Sequence, residues 1–580
     1  MKLTQNYLPF LLLMFISFTG LSQDDATLPN FATESEQALI SELSFTSPVP
    51  TPPPTASVRA AAEWEEIEYL VITWEPSFPN ILRQIVDVAV DECKVIIVTQ
   101  NETSVSSYLS GSGIDLTNVT FLDVPWNSIW MRDYAGNTVY SDDVGERALV
   151  DWIYNRPRPN DNVIPSAHAA LIGSPIYITN SGTNDLVNTG GNYMSDGLGN
   201  AFASDLILEE NEAGNPYGVS AKTEAQIDDI MFDYMGIEEY IKMESLPYDL
   251  IHHIDMHMKL LDEETLLVSQ YPDGVADGPQ IEENIEYVLS NFTSPFGTPY
   301  RVEWIPAPPS TSGSYPDTGG YYRTFSNSIF INGSVIVPTY RPDVDADALA
   351  KYEELLPGYN VVGIDVDNAG ENLISLFGAI HCITHSIGVE DPLWIVHQPL
   401  REAQKGITYT LDATIKHISG IDQAKVFWRN VGETSYNEIA MTTSGGDNWS
   451  ADLLIPSLDD VEYYIWAEAN SGKQLTRPIV APEGYWRIAV STLSSQDIIE
   501  QNIVGPYPNP ASDMVNFRLN NLGGAVSIKI HNILGQELYT NTLTNSNGVV
   551  QLSLNPNWNG TLFVTFSGEF GTVKRKLIKL

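Results

Sequence analysis

Short apolar runs alternate with amphipathic stretches between residues 64 and 400. Residues 69–74 (YLVITW) have the pattern of a buried β-strand, whereas residues 81–90 and 346–356 have the apolar spacing of helices. Strands that alternate with helices along a chain favour an α/β domain. We therefore predict one α/β domain of more than 300 residues here.

The pattern changes after residue 400. Residues 401–492 contain short alternating runs without helical stretches, at 408–415, 425–428 and 463–469, and this spacing is typical of an immunoglobulin-like β-sandwich. A linker at 493–502 leads to residues 503–580, where runs at 515–519 and 526–530 again alternate. The predicted fold class is therefore an α/β domain followed by two β-sandwich domains.

The first 23 residues have the three parts of a secretory signal peptide. Lys2 precedes an apolar stretch at residues 8–21, and small or polar residues follow at 20–23. The stretch is shorter than the roughly 18 to 20 residues of a membrane span, so a membrane anchor is the weaker interpretation. Residues 24–63 follow as an acidic and proline-rich linker, and no later segment is predicted to cross a membrane.

Composition narrows the possible partners. The 580 residues include 74 acidic and 29 basic side chains, which gives a formal net charge of -45 and a pI near 4.3. Such a chain has almost no positive surface with which to follow phosphates, so nucleic-acid binding is excluded first. The negative field favours a cationic substrate or a divalent metal, although solubility alone is an equally good explanation of the charge.

Two cysteines, Cys93 and Cys382, are too few for a disulfide scaffold in an exported protein. Either they pair with each other, or at least one is kept as a thiol for chemistry. Cys93 lies beside an apolar run and has the setting of a small buried side chain, whereas Cys382 lies between His381 and His385. Cys382 is therefore the candidate for chemistry.

Polar residues of the α/β region cluster in short motifs. They are WMRDY at 130–134, YNRPRPNDN at 154–162, TGGNYMSDG at 189–197, HHIDMHMK at 252–259, YRTFSNS at 322–328 and GAIHCITH at 378–385. Each motif alone has an ordinary structural explanation, such as an ion pair, a turn or a buried histidine. Only their combination points to chemistry.

Metal sites are weaker interpretations of two of these segments. His253, Asp255 and His257 would face one side of a strand, but zinc ligands are usually gathered from several elements. Residues 343–354 begin like a calcium loop, but Ala348 takes the place of the usual glycine, so a helix explains the run better. No metal and no organic cofactor is predicted.

A cysteine, a histidine and two aspartates are the side chains that guanidinium chemistry needs. The guanidinium is planar, always charged and a poor electrophile, so carboxylates must hold its nitrogens while a thiolate attacks its carbon. The bound cation lowers the pKa of the nearby thiol. A histidine then protonates the departing ammonia and activates the water that releases the intermediate.

The motifs together resemble those of the Porphyromonas-type peptidylarginine deiminase and agmatine deiminase family, which are guanidine-modifying penteins. The resemblance covers residues 64 to 395. It implies a five-bladed α/β propeller with the site at the pseudo-symmetry axis. Carried over position by position, it implies that Cys382 is the nucleophile, His253 the general acid/base, Asp133 and Asp255 the guanidinium clamp, and Asn327 a support for nucleophile and intermediate.

The resemblance also bears on the wall of the pocket and on the choice of substrate. Trp130 would line the pocket along the arginine stem, and Arg156 and Arg158 lie where the secreted peptidylarginine deiminase holds the substrate's C-terminal carboxylate. Agmatine has no carboxylate, and agmatine deiminases usually carry Glu where this chain has Thr189. An internal ion-pair network is the alternative role of the two arginines.

The last segment resembles the C-terminal sorting domain of type IX secretion in Gram-negative bacteria. The resemblance rests on YPNPASD at 507–513, NILGQ at 532–536 and the basic residues 574–576. It implies export to the medium or the outer-membrane surface, with the secretion machinery as a partner.

The sequence thus predicts a secreted hydrolase that converts peptidyl arginine, preferably at a C-terminus, to citrulline and ammonia. The same-site alternative is an agmatine deiminase. The alternative from a different class is a non-catalytic surface protein in which a sandwich domain does the binding.

Overall fold

The computed structural model describes residues 27–40, 51–179, 182–443, 445–491, 502–520, 522, 524–543, 548–568 and 571–580. The predicted signal peptide at residues 1–23 and nearly all of the predicted linker at 493–502 lie outside the described residues. Contacts divide the chain into two compact units. Unit 1 comprises Met1–Val396, Thr414–Asp422 and Ala467–Tyr485, and unit 2 comprises His397–Ala413, Gln423–Trp466 and Trp486–Leu580.

Among the described residues, the α-helices all lie in unit 1. They are α1 (Glu34–Ile40), α2 (Pro79–Glu92), α3 (Glu102–Gly111), α4 (Met131–Tyr134), α5 (Ile164–Ile172), α6 (Leu206–Glu209), α7 (Glu224–Met235), α8 (Gly278–Asn291) and α9 (Pro342–Leu355). The predicted helices at 81–90 and 346–356 are confirmed as α2 and α9. Both begin at a proline, which suits the first turn because its missing N–H has no partner there.

The strands between residues 58 and 396 are short and mostly buried. They are β1 (Val58–Ala60), β2 (Ile67–Thr73), β3 (Lys94–Val98), β4 (Val119–Leu122), β5 (Asn137–Ser141), β6 (Arg147–Asp151), β7 (Ile176–Ile178), β8 (Met194–Ser195), β9 (Asn200–Ser204), β10 (Glu239–Met243), β11 (Met258–Leu260), β12 (Thr265–Gln270), β13 (Arg301–Pro306), β14 (Ile329–Ile331), β15 (Ser334–Thr339), β16 (Asn360–Asp365), β17 (Thr384–Gly388) and β18 (Trp394–Val396).

Strands β1 to β17 form five separate sheets with the same local plan. In each sheet an antiparallel pair is extended by a parallel strand, and a helix connects the two parallel strands. The helices at these five crossovers are α5, α7, α8, α9 and α2. The fifth sheet joins the two ends of the region, because β17 pairs with β2. The predicted α/β character is therefore confirmed.

The core explains why the crossover helices form. Helix α2 buries Ile81, Leu82, Ile85, Val86 and Ala89 along one face, at the spacing of helical turns. Helix α7 begins with a capping box between Thr223 and Gln226 and ends at Gly236, whose positive φ of 70° suits glycine. The helices thus cover sheets in which strands such as β3, β12 and β15 bury nearly all of their residues.

The folded region of unit 1 begins before residue 64. Strand β1 pairs antiparallel with β5, and Arg59 forms an ion pair with Glu65 at 2.6 Å. Helix α1 lies within the segment that the sequence assigned to a linker, residues 24–63. Part of that segment is therefore built into the α/β region rather than extended between domains.

The C-terminal third is rich in β-structure. Its strands are β19 (Glu402–Gln404), β20 (Thr408–Lys416), β21 (Ile421–Asn430), β22 (Asn437–Ala440), β23 (Thr442–Thr443), β24 (Asn448–Leu454), β25 (Val461–Ala469), β26 (Gln474–Arg477), β27 (Trp486–Ser491), β28 (Ile503–Tyr507), β29 (Met514–Leu519), β30 (Val526–Asn532), β31 (Glu537–Leu543), β32 (Gly548–Ser553), β33 (Gly560–Gly568) and β34 (Gly571–Lys579).

After residue 502 the strands form two sheets, in the orders β28-β29-β32 and β31-β30-β33-β34. The alternating apolar residues of both sheets share one core, in which the rings of Phe517 and Phe566 lie 4.9 Å apart. Alternation of apolar and polar residues in the sequence correctly indicated β29 and β30. Across the part of the chain that the structure describes, no helix is both long enough and apolar enough to span a bilayer.

Candidate functional site

The candidate site residues occupy equivalent places in the five sheets of unit 1. Each precedes the first strand of the antiparallel pair: Asp133 in α4 precedes β5, and residues 190–192 precede β8. His253 and Asp255 precede β11, Asn327 precedes β14, and Cys382 precedes β17. The repeated plan thus brings motifs that are far apart in sequence to one place.

The thiol of Cys382 lies among polar groups and is fully buried. Its Sγ is 3.3 Å from Nδ2 of Asn327 and 3.5 Å from Oδ2 of Asp255, and Sδ of Met256 lies 3.8 Å away. The Asn327 amide also donates to the backbone oxygen of Asp255 at 3.1 Å, while its oxygen accepts from the backbone N–H of His381 at 3.0 Å. Asn327 therefore ties the cysteine loop to the aspartate loop.

His253 is held between Thr189 and Asp133. Its Nε2 is 3.0 Å from Oγ1 of Thr189, and its Nδ1 is 3.4 Å from Oδ1 of Asp133. A Cβ atom on Gly191 would lie 2.5 Å from Nδ1 of His253 and 2.9 Å from Oδ1 of Asp133. Glycine is required at this place in the TGGN motif because any side chain would push the histidine and the carboxylate apart.

Three carboxylate oxygens in the site have no hydrogen-bond partner. Both side-chain oxygens of Asp133 and Oδ1 of Asp255 are buried without a hydrogen bond, as is Nδ1 of His253. Burial, reinforced by the nearby charge of Asp255, raises the pKa of Asp133 to about 8. Buried acceptors in native proteins are nearly always satisfied, so this set is arranged for donors that a ligand brings.

Asp255 belongs to a buried chain of charges. Its Oδ2 accepts from Nδ1 of His381 at 2.7 Å, and Nε2 of the same ring is 2.6 Å from Oε2 of Glu63. Glu63 also contacts Lys259, and its Oε2 is 3.6 Å from Arg132. Burial would raise the pKa of Glu63, but Lys259, His381 and Arg132 hold it well below its usual value.

The protonation states favour a neutral histidine beside a protonated thiol. Burial lowers the pKa of His253 to about 3, so its imidazole is neutral at physiological pH. Burial, with the charges of Asp255 and Asp133, raises the pKa of Cys382 well above its usual value. A cation bound between the two carboxylates would reverse this effect on the thiol.

Trp130 and the two arginines lie next to this centre. Trp130 is fully buried, and a Cβ on Gly378 would meet both its ring, at 2.3 Å, and Cβ of Cys382, at 3.1 Å. Arg158 forms an ion pair with Glu36 at 2.8 Å, and Arg156 donates to the backbone oxygen of Asn30 at 3.0 Å. Arg158 thus has an internal ion-pair partner, whereas Arg156 donates to backbone carbonyl oxygens.

His253 and His257 flank a 3-10 helix, Ile254–Met256, which contains Asp255, so the three side chains do not lie along a strand. The one-sided strand arrangement of His253, Asp255 and His257 considered for zinc is therefore absent. Within the described ranges, no three His, Cys, Asp or Glu side chains come together in the manner of a metal site. Cys93 and Cys382 are both free thiols.

A family model, Porphyromonas-type peptidyl-arginine deiminase, matches residues 59–387, which is 329 of 580 residues. The chain belongs to this family. Its members are guanidine deiminases, hydrolases that act on carbon–nitrogen bonds. A second model, secretion system C-terminal sorting domain, matches residues 506–580 and confirms the prediction of export from a Gram-negative bacterium by type IX secretion.

The chain is similar in sequence to proteins that are provisionally named agmatine deiminase. One from Vibrio parahaemolyticus is 24% identical over 300 residues, covering 47% of this chain and 78% of its own length. One from a Shewanella species is 27% identical over 300 residues, covering 47% and 76%. Among solved structures, the X-ray structure of a protein provisionally named agmatine deiminase matches with a TM-score of 0.50 at 19% identity, covering 59% of this chain and all of that one. This likeness supports the fold alone.

Two members of the buried charge chain were missed in the sequence. Glu63 lies in the segment assigned to a linker, and His381 was noted only as a neighbour of the cysteine. The signal for His381 was its place within the IHC motif. For Glu63 no local pattern distinguishes it from the adjacent acidic residues.

Proposed function

We propose that the protein is an exported deiminase that hydrolyses arginine at the C-terminus of peptides to citrulline and ammonia. The observation that carries this proposal is the pair of Asp133 oxygens, buried without partners beside the Cys382 thiol. A guanidinium offers five N–H donors in a planar fork, which matches two facing carboxylates. Its positive charge would also balance the negative charge of the two buried carboxylates.

The reaction needs only groups of this chain. With the guanidinium held by Asp133 and Asp255, Cys382 gives its proton to neutral His253 and its thiolate attacks the central carbon. The tetrahedral adduct expels ammonia, with a proton delivered through His253, and leaves a thiouronium on the cysteine. Neutral His253 then takes a proton from water, which attacks the same carbon, and the C–S bond breaks to give citrulline.

The five sheets of unit 1 support a five-bladed propeller with this site near its axis. Their shared plan and the placement of the five site segments are what such a pseudo-symmetric arrangement would give. We further propose domains at 64–400, 401–492 and 503–580, the last two being β-sandwiches, with the catalytic domain extended upstream to include Glu63.

Agmatine is the second candidate substrate, because the named relatives carry that assignment. Against it, Thr189 contacts His253 at the position where agmatine deiminases usually carry Glu. Arg156 and Arg158 add positive charge beside the pocket, which suits a carboxylate and disfavours a second cationic group.

Ammonia release is expected to be at least about tenfold faster from a peptide ending in arginine than from the same peptide amidated or from agmatine. The free carboxylate gives the arginines their partner, so its removal costs at least about 1.5 kcal/mol, or tenfold in kcat/KM. Colorimetric ammonia detection, with citrulline identified by mass spectrometry, measures this. Turnover of agmatine alone would indicate an agmatine deiminase. The absence of turnover of any guanidine would favour the alternative of a non-catalytic surface-binding protein.

His381 is proposed as a positioning residue that keeps Asp255 ionised. Its hydrogen bond lowers the pKa of Asp255 against the effect of burial. In His381→Gln that pKa rises, so a larger fraction of Asp255 is protonated at low pH. We expect KM for the arginine peptide to rise about tenfold or more at pH 6 and to recover by pH 9, as measured from initial rates.

His168→Gln is the matched control, since His168 in α5 is equally buried but both of its ring nitrogens lack a hydrogen-bond partner. A merely structural role for His381 would lower activity at every pH alike. A KM that stays constant from pH 6 to pH 9 would contradict the positioning role.

A further inference from the structure

Residues 27–40 of the chain lie against the candidate active site. The indole N–H of Trp130 donates to the backbone oxygen of Leu28 at 3.0 Å, and the N–H of Asn30 donates to that of Leu376 at 2.8 Å. Phe31 packs edge-on against Phe377, with ring centroids 5.1 Å apart. Leu376 and Phe377 directly precede the loop of Cys382, so the segment touches the chain that leads into this loop.

The two arginines are bound by this same segment. Arg158 forms a two-pronged ion pair with Glu36, from Nε to Oε1 at 2.8 Å and from Nη2 to Oε2 at 3.3 Å. Its Nη2 also donates to the backbone oxygen of Pro29 at 2.7 Å, and Arg156 donates to that of Asn30. A carboxylate and backbone carbonyls therefore hold the groups that a peptide substrate's C-terminus would need.

Residues of the site and of this segment are buried together. Arg158 is 1% exposed and Cys382 is 0% exposed, and Asn30 is buried with both side-chain amide atoms unpartnered. A buried nucleophile can meet a peptide end only while the segment is displaced, so we expect the intact chain to turn over more slowly than the opened one. An unsatisfied amide in the covering segment indicates a contact that is less complete than a permanent core contact.

We propose that residues 27–40 are an autoinhibitory segment, in which the Glu36 carboxylate takes the place of the substrate's C-terminal carboxylate on Arg158. Peptide arginine competes with this segment for the same guanidinium and the same pocket mouth. The inference rests on the proposed function for its substrate, but not for the closure of the pocket itself. Removal of the segment, by proteolysis after export, would open the site.

Cleavage of the folded full-length chain tests this directly. A recognition sequence for a site-specific protease replaces residues 44–48, and the protein is cut after folding and freed of the peptide by gel filtration. We expect alkylation of Cys382 by iodoacetamide, followed by peptide mass spectrometry, to become at least about tenfold faster, with a similar rise in turnover of the arginine-ended peptide. Adding the synthetic peptide of residues 27–40 should reverse both changes.

Glu36→Gln tests the ion pair without cleavage. Glu36 also closes a capping box with Thr33 at the start of α1, and glutamine preserves that box while removing the charge. We expect a fivefold to tenfold rise in kcat/KM. Glu34→Gln is the matched control, because Glu34 is exposed in the same helical turn, and its variant should behave as the parent.

The outcomes separate the two proposals. Faster Cys382 labelling after cleavage, without turnover of any guanidine, would support the closing segment and overturn the proposed function. Equal labelling and equal turnover of intact and cleaved protein would overturn the segment's role and leave the function standing. Should cleavage unfold the protein, shown by a lost thermal transition, a Glu36→Gln variant no more active than Glu34→Gln would overturn the segment's role.

Discussion

Replacement of Cys382 by serine is expected to lower turnover of the arginine-ended peptide by at least about 10⁴-fold. The hydroxyl of serine is a much weaker acid than a thiol, and the pocket already raises the pKa of the thiol because it is buried between two aspartates. Only the cation of the substrate offsets this effect, and it cannot offset it for serine. Ammonia release over hours, with the wild type diluted to match, measures the loss.

Cys93→Ser is the matched control. Cys93 ends helix α2, is a free thiol and has no contact with the site residues described above. Its variant should keep full activity. Acid-quenched wild-type enzyme should carry the substrate mass less one ammonia on Cys382, and an adduct on any other residue would refute the assignment of the nucleophile.

Much of the local structure could be predicted from the sequence, but the architecture could not. Apolar runs and helical spacing correctly indicated β2, α2 and α9, because the pattern that identifies each element lies within its own residues. The five repeated sheets share a plan without sharing a sequence, since their strands are only two to seven residues long and differ in composition. A repeat that exists only as topology leaves no periodic signal in the chain.

The same limit applies to the site. Motifs such as TGGN and IHC could be recognised because close packing leaves few choices there, as the 2.5 Å approach to His253 at Gly191 illustrates. Glu63 can be identified only from its position in the folded chain. It contacts His381, Lys259 and Arg132 but belongs to a segment that has no motif. Glu36 and Arg158 are separated by 122 positions in the sequence, and no pattern in the sequence predicts their contact.

Asp133→Asn is expected to abolish activity and to stabilise the fold. Loss of one of the two carboxylates that would hold the guanidinium should lower kcat/KM about 10³-fold, measured by ammonia release. Stability should rise because the wild-type carboxyl is buried without donors and its pKa is raised to about 8. Unfolded Asp133 ionises near pH 4, so folding above that pH must take up a proton or bury a charge.

The sign of the pH dependence separates this effect from a general gain in packing. A carboxyl whose pKa is raised in the folded state weakens the fold progressively from pH 4 to pH 8 and by a constant amount above that. The free-energy advantage of Asp133→Asn should therefore be about 2 to 4 kcal/mol larger at pH 8 than at pH 5, as measured by urea unfolding. Asp151→Asn is the matched control: Asp151 is also buried with a raised pKa, but it lies in β6 outside the site. The Asp151→Asn variant should gain stability and keep its activity. If Asp151→Asn and Asp133→Asn both lost activity, the loss would be attributed to the replacement of a buried carboxyl and not to guanidinium binding by Asp133.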